Sequence, residues 1–290
     1  MDLETAAIPV VGSVKEIGAR YRAWLVDIWG VMHNGCDAFP GAVAATRAFR
    51  EGGGIVILLS NSPRPSPAVQ HQLRQFGVPD EAYDATVTSG DLTRHELGKH
   101  KGALVFHLGP ERDRPIFAGL DVTLVDHDEA ELIVCSGLFD DESETPDDYV
   151  DLLRLLAARK LPMTCANPDH LVERGHRLIY CAGALAAIYE RAGGSVVYAG
   201  KPYRPIYDLA LETAADLAGS RVGKDEVLAI GDGVNTDIAG AAGMGIDAVF
   251  VASGLHVRLD DGEGFGVSHV AELFAESQGR PLAATHALSW

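Results

Sequence analysis

Short apolar runs rich in Val, Ile and Leu alternate along this chain with longer segments of helical periodicity, and that alternation restricts the fold more than any other feature. Runs this short and this apolar read as strands buried on both faces, which calls for a parallel sheet covered by helices on either side. The strand candidates are Trp24 to Ile28, Ile55 to Leu59, Leu104 to Leu108, Leu132 to Cys135, Val196 to Tyr198, Val227 to Ile230 and Ala248 to Val251. Helices are expected between them at Gly41 to Arg50, Pro67 to Gln75, Ala184 to Ala192, Pro205 to Leu217 and His269 to Glu276. One further helix start is marked by Thr145 as a cap and Pro146 at the first helical position. Asp147 and Asp148 there meet the positive end of the dipole, ahead of Leu152 to Leu156. That start also accounts for the acidic stretch Asp140 to Asp151 as a solvated loop and helix N-terminus.

The 290 residues suffice for one large domain or two of roughly 150 residues. A formal charge of −17 repels polyphosphate backbones and anionic lipid, so neither nucleic acid nor membrane is an expected partner. Small anionic substrates stay open, because a metal ion and a Lys can reverse the field inside one cleft. The N-terminus carries Asp2 and Glu4 where a secretory or transit peptide needs basic residues, and no apolar run reaches membrane-spanning length. A cytoplasmic location is expected. Cys36, Cys135, Cys165 and Cys181 form no C-x-x-C pair and are too sparse for a disulfide framework, so they are read as reduced.

Four strand candidates lead directly into residues that carry chemistry. Leu25-Val26-Asp27-Ile28-Trp29-Gly30-Val31 ends a strand on an acid followed by Gly, and Ile57-Leu58-Leu59-Ser60-Asn61-Ser62 ends one on a hydroxyl and an amide. Ala199-Gly200-Lys201-Pro202 places a Lys after a strand. Ile230-Gly231-Asp232-Gly233-Val234-Asn235-Thr236-Asp237 sets two acids five apart on a Gly-containing turn into a helix starting near Ile238. Taken singly, each has an ordinary reading as a turn residue or a helix cap. Ligands of open α/β sheets bind outside the carboxyl ends of strands, however, and all four lie there. Carboxylate, hydroxyl, Lys and an acid pair are the components of phosphoryl transfer: a nucleophile, a phosphate donor group, a compensating cation and a magnesium site. Two of these segments lie at positions 60 and 201, while a parallel crossover needs only about 30 residues. Roughly 100 residues are therefore available for an inserted domain, placed at about 91 to 183.

These four motifs resemble those of the haloacid dehalogenase superfamily of phosphohydrolases. The insertion is similar to a class IIA cap, the type found in p-nitrophenyl phosphatase and its relatives, with Asn167-Pro168-Asp169 and Cys181-Ala182-Gly183-Ala184 as landmarks. Asp-x-Trp-Gly-Val followed by His33-Asn34-Gly35 looks like a subgroup of predicted sugar phosphatases. The resemblance implies a Rossmann-like three-layer α/β core from 1–90 and 184–290, an α/β cap at 91–183, and magnesium-dependent hydrolysis of a small phosphorylated metabolite. It implies that Asp27 attacks phosphorus to give an aspartyl phosphate, and that Asp27, Asp232, Asp237 and the Trp29 carbonyl serve magnesium. Ser60 would bind a phosphoryl oxygen and Lys201 would neutralise charge. Gly30, His33, Asn61, Asn167 and Asp169 would face the substrate. Cap loops set the substrate, with Arg112, Arg114 and Arg174 as further candidates to reach it. Related caps often mediate dimers, which leaves a homodimer through the cap open.

One position departs from the pattern. Most phosphatases of this superfamily carry a second Asp two residues after the nucleophile, which protonates the leaving alcohol and later activates water, but here that residue is Trp29. An indole N–H does not release its proton near neutral pH, and the missing function is typically worth about 10² to 10⁴ in rate. Three consequences compete. The enzyme acts on aryl or acyl phosphates whose leaving groups need little protonation, or His33 supplies the proton, or the protein binds a phosphorylated ligand and metal with little or no turnover.

Overall fold

The computed structural model describes residues 7–174, 177–252 and 266–290, and of Glu173 and Arg174 the main chain only. Asp2 and Glu4 lie outside the described residues. In chain order the strands are β1 (Ala23–Asp27), β2 (Ile55–Ser60), β3 (Ala85–Thr88), β4 (Ala103–Leu108), β5 (Val122–Leu124), β6 (Leu132–Cys135) and β7 (Pro162–Cys165). They continue with β8 (Leu171–Arg174), β9 (Arg177–Tyr180), β10 (Ser195–Tyr198), β11 (Val227–Gly231), β12 (Asp247–Val251) and β13 (Ala283–Thr285). By its contacts the chain divides into two compact units. The first comprises Met1–Leu59, Gln70–Thr86 and Tyr207–Trp290, and the second Ser60–Val69 and Val87–Ile206.

The first unit is built on a six-stranded sheet in the order β13-β12-β11-β1-β2-β3. The pairs β1–β2, β1–β11, β11–β12 and β12–β13 are parallel. β1 and β11 are buried along their whole length, which explains why neither shows polar alternation. Their register sets Val26 beside Ile230, so Asp27 and the Gly231-Asp232 step leave the sheet at the same end. The helix Pro40–Glu51 is fastened to β1 by Phe49, whose ring stacks on Trp24 at 4.0 Å. Trp290 completes that cluster, 5.7 Å from Trp24 and 6.2 Å from Phe49.

The second unit holds a parallel five-stranded sheet, β10-β7-β6-β4-β5. Both faces are apolar. Phe106, Leu108, Ile133, Cys135 and Met163 pack with Leu153, Leu156, Leu185 and Tyr189 from the helices Val150–Ala158 and Ala182–Arg191. Ala103, Val105, Leu132 and Val134 on the opposite face pack with Leu97, Ile116 and Phe117. β8 and β9 form an antiparallel hairpin. The expected start at Thr145 is present: its N–H and hydroxyl both donate to the Asp148 carboxylate, at 2.8 and 3.0 Å.

The fold is thus α/β with parallel sheets. The expected division at 183/184 leaves Val196 to Tyr198 in the core, whereas β10 pairs with β7 in the second sheet and the contacts return to the first unit only at Tyr207. The cause is β7, whose edge takes β10 as its parallel neighbour. All four cysteines are free thiols. Among the described residues no helix is long and apolar enough to cross a membrane.

Candidate active site

Three acids converge at the carboxyl end of the first sheet. Asp27 is the last residue of β1, Asp232 directly follows β11, and Asp237 lies in the wide helical turn Val234–Ile238 that comes next. All three are buried, and one carboxylate oxygen from each lies within 4.8 Å of the others. The Ile28 N–H donates to Asp27 Oδ1 at 2.8 Å and fixes the rotamer of that carboxylate.

Two glycines make room for Asp237. A Cβ on Gly231 would meet Asp237 Cγ at 2.2 Å, and one on Gly233 would meet Thr236 Oγ1 at 1.9 Å. The Gly233 N–H donates to Asp237 Oδ2 at 3.1 Å. The Tyr207 hydroxyl reaches the carbonyls of Thr236 and Asp237 at 3.4 and 3.3 Å, holding the turn from outside. The ordinary reading of this turn makes its acid a cap for a helix beginning near Ile238. Instead the helical turn begins at Val234 and Asp237 sits inside it, a place a cap residue does not occupy. Tyr207 had no sequence signal beyond an aromatic at a helix position.

The donor set suits a hard divalent cation. Magnesium is bound through one or two carboxylates with waters completing the shell, and three acids at this separation offer only oxygen. Left unneutralised, each ionised pair at about 4.8 Å would repel by about 3 to 4 kcal/mol at the effective dielectric of a protein. A cation between them removes that cost. The residues present therefore fit the group that the sequence implies.

The segment after β1 folds back on itself. Met32 N–H bonds to the Ile28 carbonyl at 2.9 Å, and Gly30, with φ +82°, donates its N–H to the His33 carbonyl at 2.9 Å. Trp29 is half-buried, with its ring edge-on to His33 at 5.2 Å and lying over Gly35. His33 is buried between Trp29 and Phe76, and its Nδ1 accepts the Gly35 N–H at 3.0 Å. Burial lowers its pKa to about 4. At neutral pH this imidazole is uncharged and committed to its own loop.

Ser60 closes β2, next after the Leu59 that pairs with Asp27, and its Oγ accepts the Ser62 N–H at 3.1 Å. Within the second unit, Asn61, Asn167, Asp169 and Lys201 come together. Asn61 Nδ2 donates to the Lys201 carbonyl at 3.0 Å and to Asp169 Oδ1 at 2.9 Å, and Asn61 Oδ1 accepts the Lys201 N–H at 2.7 Å. The Asp169 N–H donates to Asn167 Oδ1 at 3.1 Å. Two arginine candidates pair locally, Arg112 with Asp141 and Arg114 with Glu111. The Arg174 side chain lies outside the described residues.

Residues 24–123 match the family model for haloacid dehalogenase-like hydrolases, and residues 198–277 match a second model described as HAD-hydrolase-like. The crystal structure of a haloacid dehalogenase-like family hydrolase from Brucella suis 1330 is 45% identical in sequence. The match covers 96% of this chain and 100% of that one, with a TM-score of 0.84. The chain belongs to the haloacid dehalogenase-like hydrolases. An acid sugar phosphatase from Staphylococcus haemolyticus is 25% identical over 240 residues, 81% of this chain and 87% of that protein. The p-nitrophenyl phosphatase from Archaeoglobus fulgidus, at 21% identity, shares the fold with a TM-score of 0.71 over 92% of this chain and 96% of that one. Of the three clustered acids of this haloacid dehalogenase-like hydrolase, Asp27 lies within the first match and Asp232 and Asp237 within the second.

Proposed function

We propose that the protein is a magnesium-dependent phosphatase of small phosphorylated metabolites, with Asp27 as the nucleophile. The observation that carries this reading is the buried cluster of Asp27, Asp232 and Asp237 at one end of the parallel sheet. Similarity to a sugar phosphatase and to a p-nitrophenyl phosphatase supports the reaction class. Asp27, Asp232 and Asp237 would hold the ion, together with the Trp29 carbonyl. When bound, magnesium would draw charge from the phosphoryl group and keep the three carboxylates ionised side by side.

The remaining work falls to the chain. The Ile28 N–H holds the Asp27 carboxylate in one orientation, so that its attacking oxygen is set before substrate arrives. Attack forms a bond from that oxygen to phosphorus as the bond to the leaving oxygen breaks, and water later hydrolyses the aspartyl phosphate. Ser60 is assigned to donate to a phosphoryl oxygen and Lys201 to offset charge on phosphate and nucleophile. Trp29 gives the leaving oxygen no proton, and neutral His33 is bound to Gly35 on one nitrogen and ringed by Trp29 and Phe76. We therefore assign the protein to substrates whose leaving groups depart without protonation, aryl and acyl phosphates ahead of alkyl ones.

Phosphate release from p-nitrophenyl phosphate, acetyl phosphate and a panel of sugar phosphates, with and without magnesium, tests this. Magnesium-dependent release that Asp27→Asn abolishes, fastest on the two activated substrates, is the expected result. No release above the Asp27→Asn background from any of them overturns it, in favour of a phospholigand-binding protein on the same scaffold.

A further inference from the structure

We propose that Asn61 is a positioning residue that sets the direction of the Lys201 side chain and couples it to Asp169, with no contact to substrate of its own. The proposal rests on the role given to Lys201 above. Its ground is the pattern of bonds. The Asn61 carboxamide takes both the N–H and the carbonyl of one residue, Lys201, at 2.7 and 3.0 Å. Binding both groups on either side of one Cα fixes the two backbone dihedrals of that residue, and with them the direction of its Cα–Cβ bond. Lys201 is buried, so its main-chain groups must be satisfied within the protein.

Asn suits the task through its geometry. Its planar head carries a donor and an acceptor side by side, a pairing that neither Ser nor Asp supplies. The Lys201 main chain also settles which end is oxygen, because the N–H needs the acceptor and the carbonyl needs the donor. The second hydrogen on Nδ2 goes to Asp169 Oδ1 at 2.9 Å, and Asp169 is in turn held through its own N–H by Asn167. Three loops far apart in sequence are thereby tied at one carboxamide. Gly200 seals the arrangement: a Cβ there would lie 2.4 Å from Ser89 Oγ, 2.6 Å from Asn61 Oδ1 and 2.6 Å from Pro168 Cδ.

The test compares Asn61→Asp, Asp169→Asn and the double swap by steady-state phosphate release from p-nitrophenyl phosphate, with Lys201→Ala alongside. Asn61→Asp keeps the acceptor for the Lys201 N–H but turns an oxygen toward the Lys201 carbonyl and Asp169. Misplacing a reacting group by about 1 Å costs on the order of 10²-fold, so kcat is expected to fall about 10- to 100-fold with KM within about 3-fold. Asp169→Asn, which can still present an oxygen to Nδ2, is expected to lose less. The swap restores one donor–acceptor pair and is expected to recover kcat at least about 10-fold over Asn61→Asp.

A rise in KM at unchanged kcat would make Asn61 a substrate contact and overturn the proposal. So would losses in the double variant that simply multiply, or unaltered kcat per folded molecule with only a lower melting temperature. Should Asn61→Asp not fold, Gly200→Ala displaces the same carboxamide, and undiminished kcat there is equally fatal. Full turnover by Lys201→Ala, by contrast, would refute the role of Lys201 in the reaction and not the clamp.

Discussion

Substituting Gly231 by Ala tests the acid cluster without touching an acid. The added Cβ would stand 2.2 Å from Asp237 Cγ, 2.3 Å from its Cβ and 2.7 Å from its Oδ1, where ordinary contact begins at 3.4 Å. Asp237 must therefore retreat by about 1 Å, since carbon atoms are not held closer than their contact distance. Its main chain has little freedom to do so, because Tyr207 reaches the Thr236 and Asp237 carbonyls and the Asp237 N–H is bound to the Gly233 carbonyl at 3.0 Å. The displacement falls on the carboxylate. Disturbing the support of a metal ligand typically costs about 10- to 100-fold in affinity, and a ligand moved bodily should cost at least that. Overpacking adds about 1 to 3 kcal/mol of lost stability. Magnesium titration by calorimetry, or manganese titration by electron paramagnetic resonance, reads the affinity. Gly243→Ala is the control: a Cβ there meets nothing within 4 Å, on the short helix Ala239–Met244, so it should be neutral or stabilising by up to about 1 kcal/mol. A folded Gly231→Ala protein that binds the cation as tightly as the parent would refute the assignment of Asp237 to the metal.

Acid should weaken the fold through His33, whose pKa is lowered to about 4 by burial while the unfolded chain titrates near 6.5. The folded state refuses a proton the unfolded state accepts, so this stability is complete above pH 6.5 and drains as pH falls toward 4, with about 2 kcal/mol gone by about pH 5. His33→Asn keeps an acceptor for the Gly35 N–H and should lose that part of the slope. Urea midpoints at neutral pH and near pH 5 that fall as far in the variant as in the parent would show that His33 is not the cause. Trp290→Ala removes a half-buried ring from Trp24 and Phe49 and should cost about 1 to 2 kcal/mol with magnesium affinity unchanged. A denaturation midpoint equal to the parent's would show that those contacts contribute nothing.

Apart from the half-exposed β10, the strands that can be read in the sequence are the ones buried on both faces. β1, β2, β4, β6, β11 and β12 each present a nearly continuous apolar run, because sheet neighbours and helices on both sides leave no position for water. The strands that escaped notice are short or sit where that rule relaxes. β5 is three residues with Thr123 and Leu124 exposed, and β13 is Ala-Ala-Thr on the outer edge of its sheet. β7 opens on an exposed Pro and contains a Thr, yet it lies centrally, between β6 and β10. The hairpin β8–β9 mixes charge and apolar residues without a clean period. Where the two units divide is hidden for a related reason. Apolar periodicity shows that Val196 to Tyr198 is a strand, but only pairing shows whose neighbour it is.

At the candidate site, residue types were legible and partnerships were not. Asp27 and Asp232 announce themselves as acids that end or directly follow buried apolar runs, and Asp237 comes five residues after Asp232 across a turn whose Gly231 and Gly233 leave the room such crowding demands. Asn61 gives no such signal. Polar residues at a strand end read as turn formers, and its three bonds reach residues 108 and 140 positions away, a span over which no local pattern persists. His33 shows the converse: its place six residues after Asp27 suggests chemistry, whereas burial between two rings suppresses the charged form a general acid at neutral pH must hold. With Trp29 and His33 packed on one another, the segment after β1 is built around aromatic contact where a proton-transferring carboxylate would otherwise stand. A Trp29→Phe variant should then keep the preference for activated leaving groups proposed above, since neither ring is a proton donor near neutral pH. A selective loss on alkyl phosphates in that variant would mean that the indole N–H assists their departure after all.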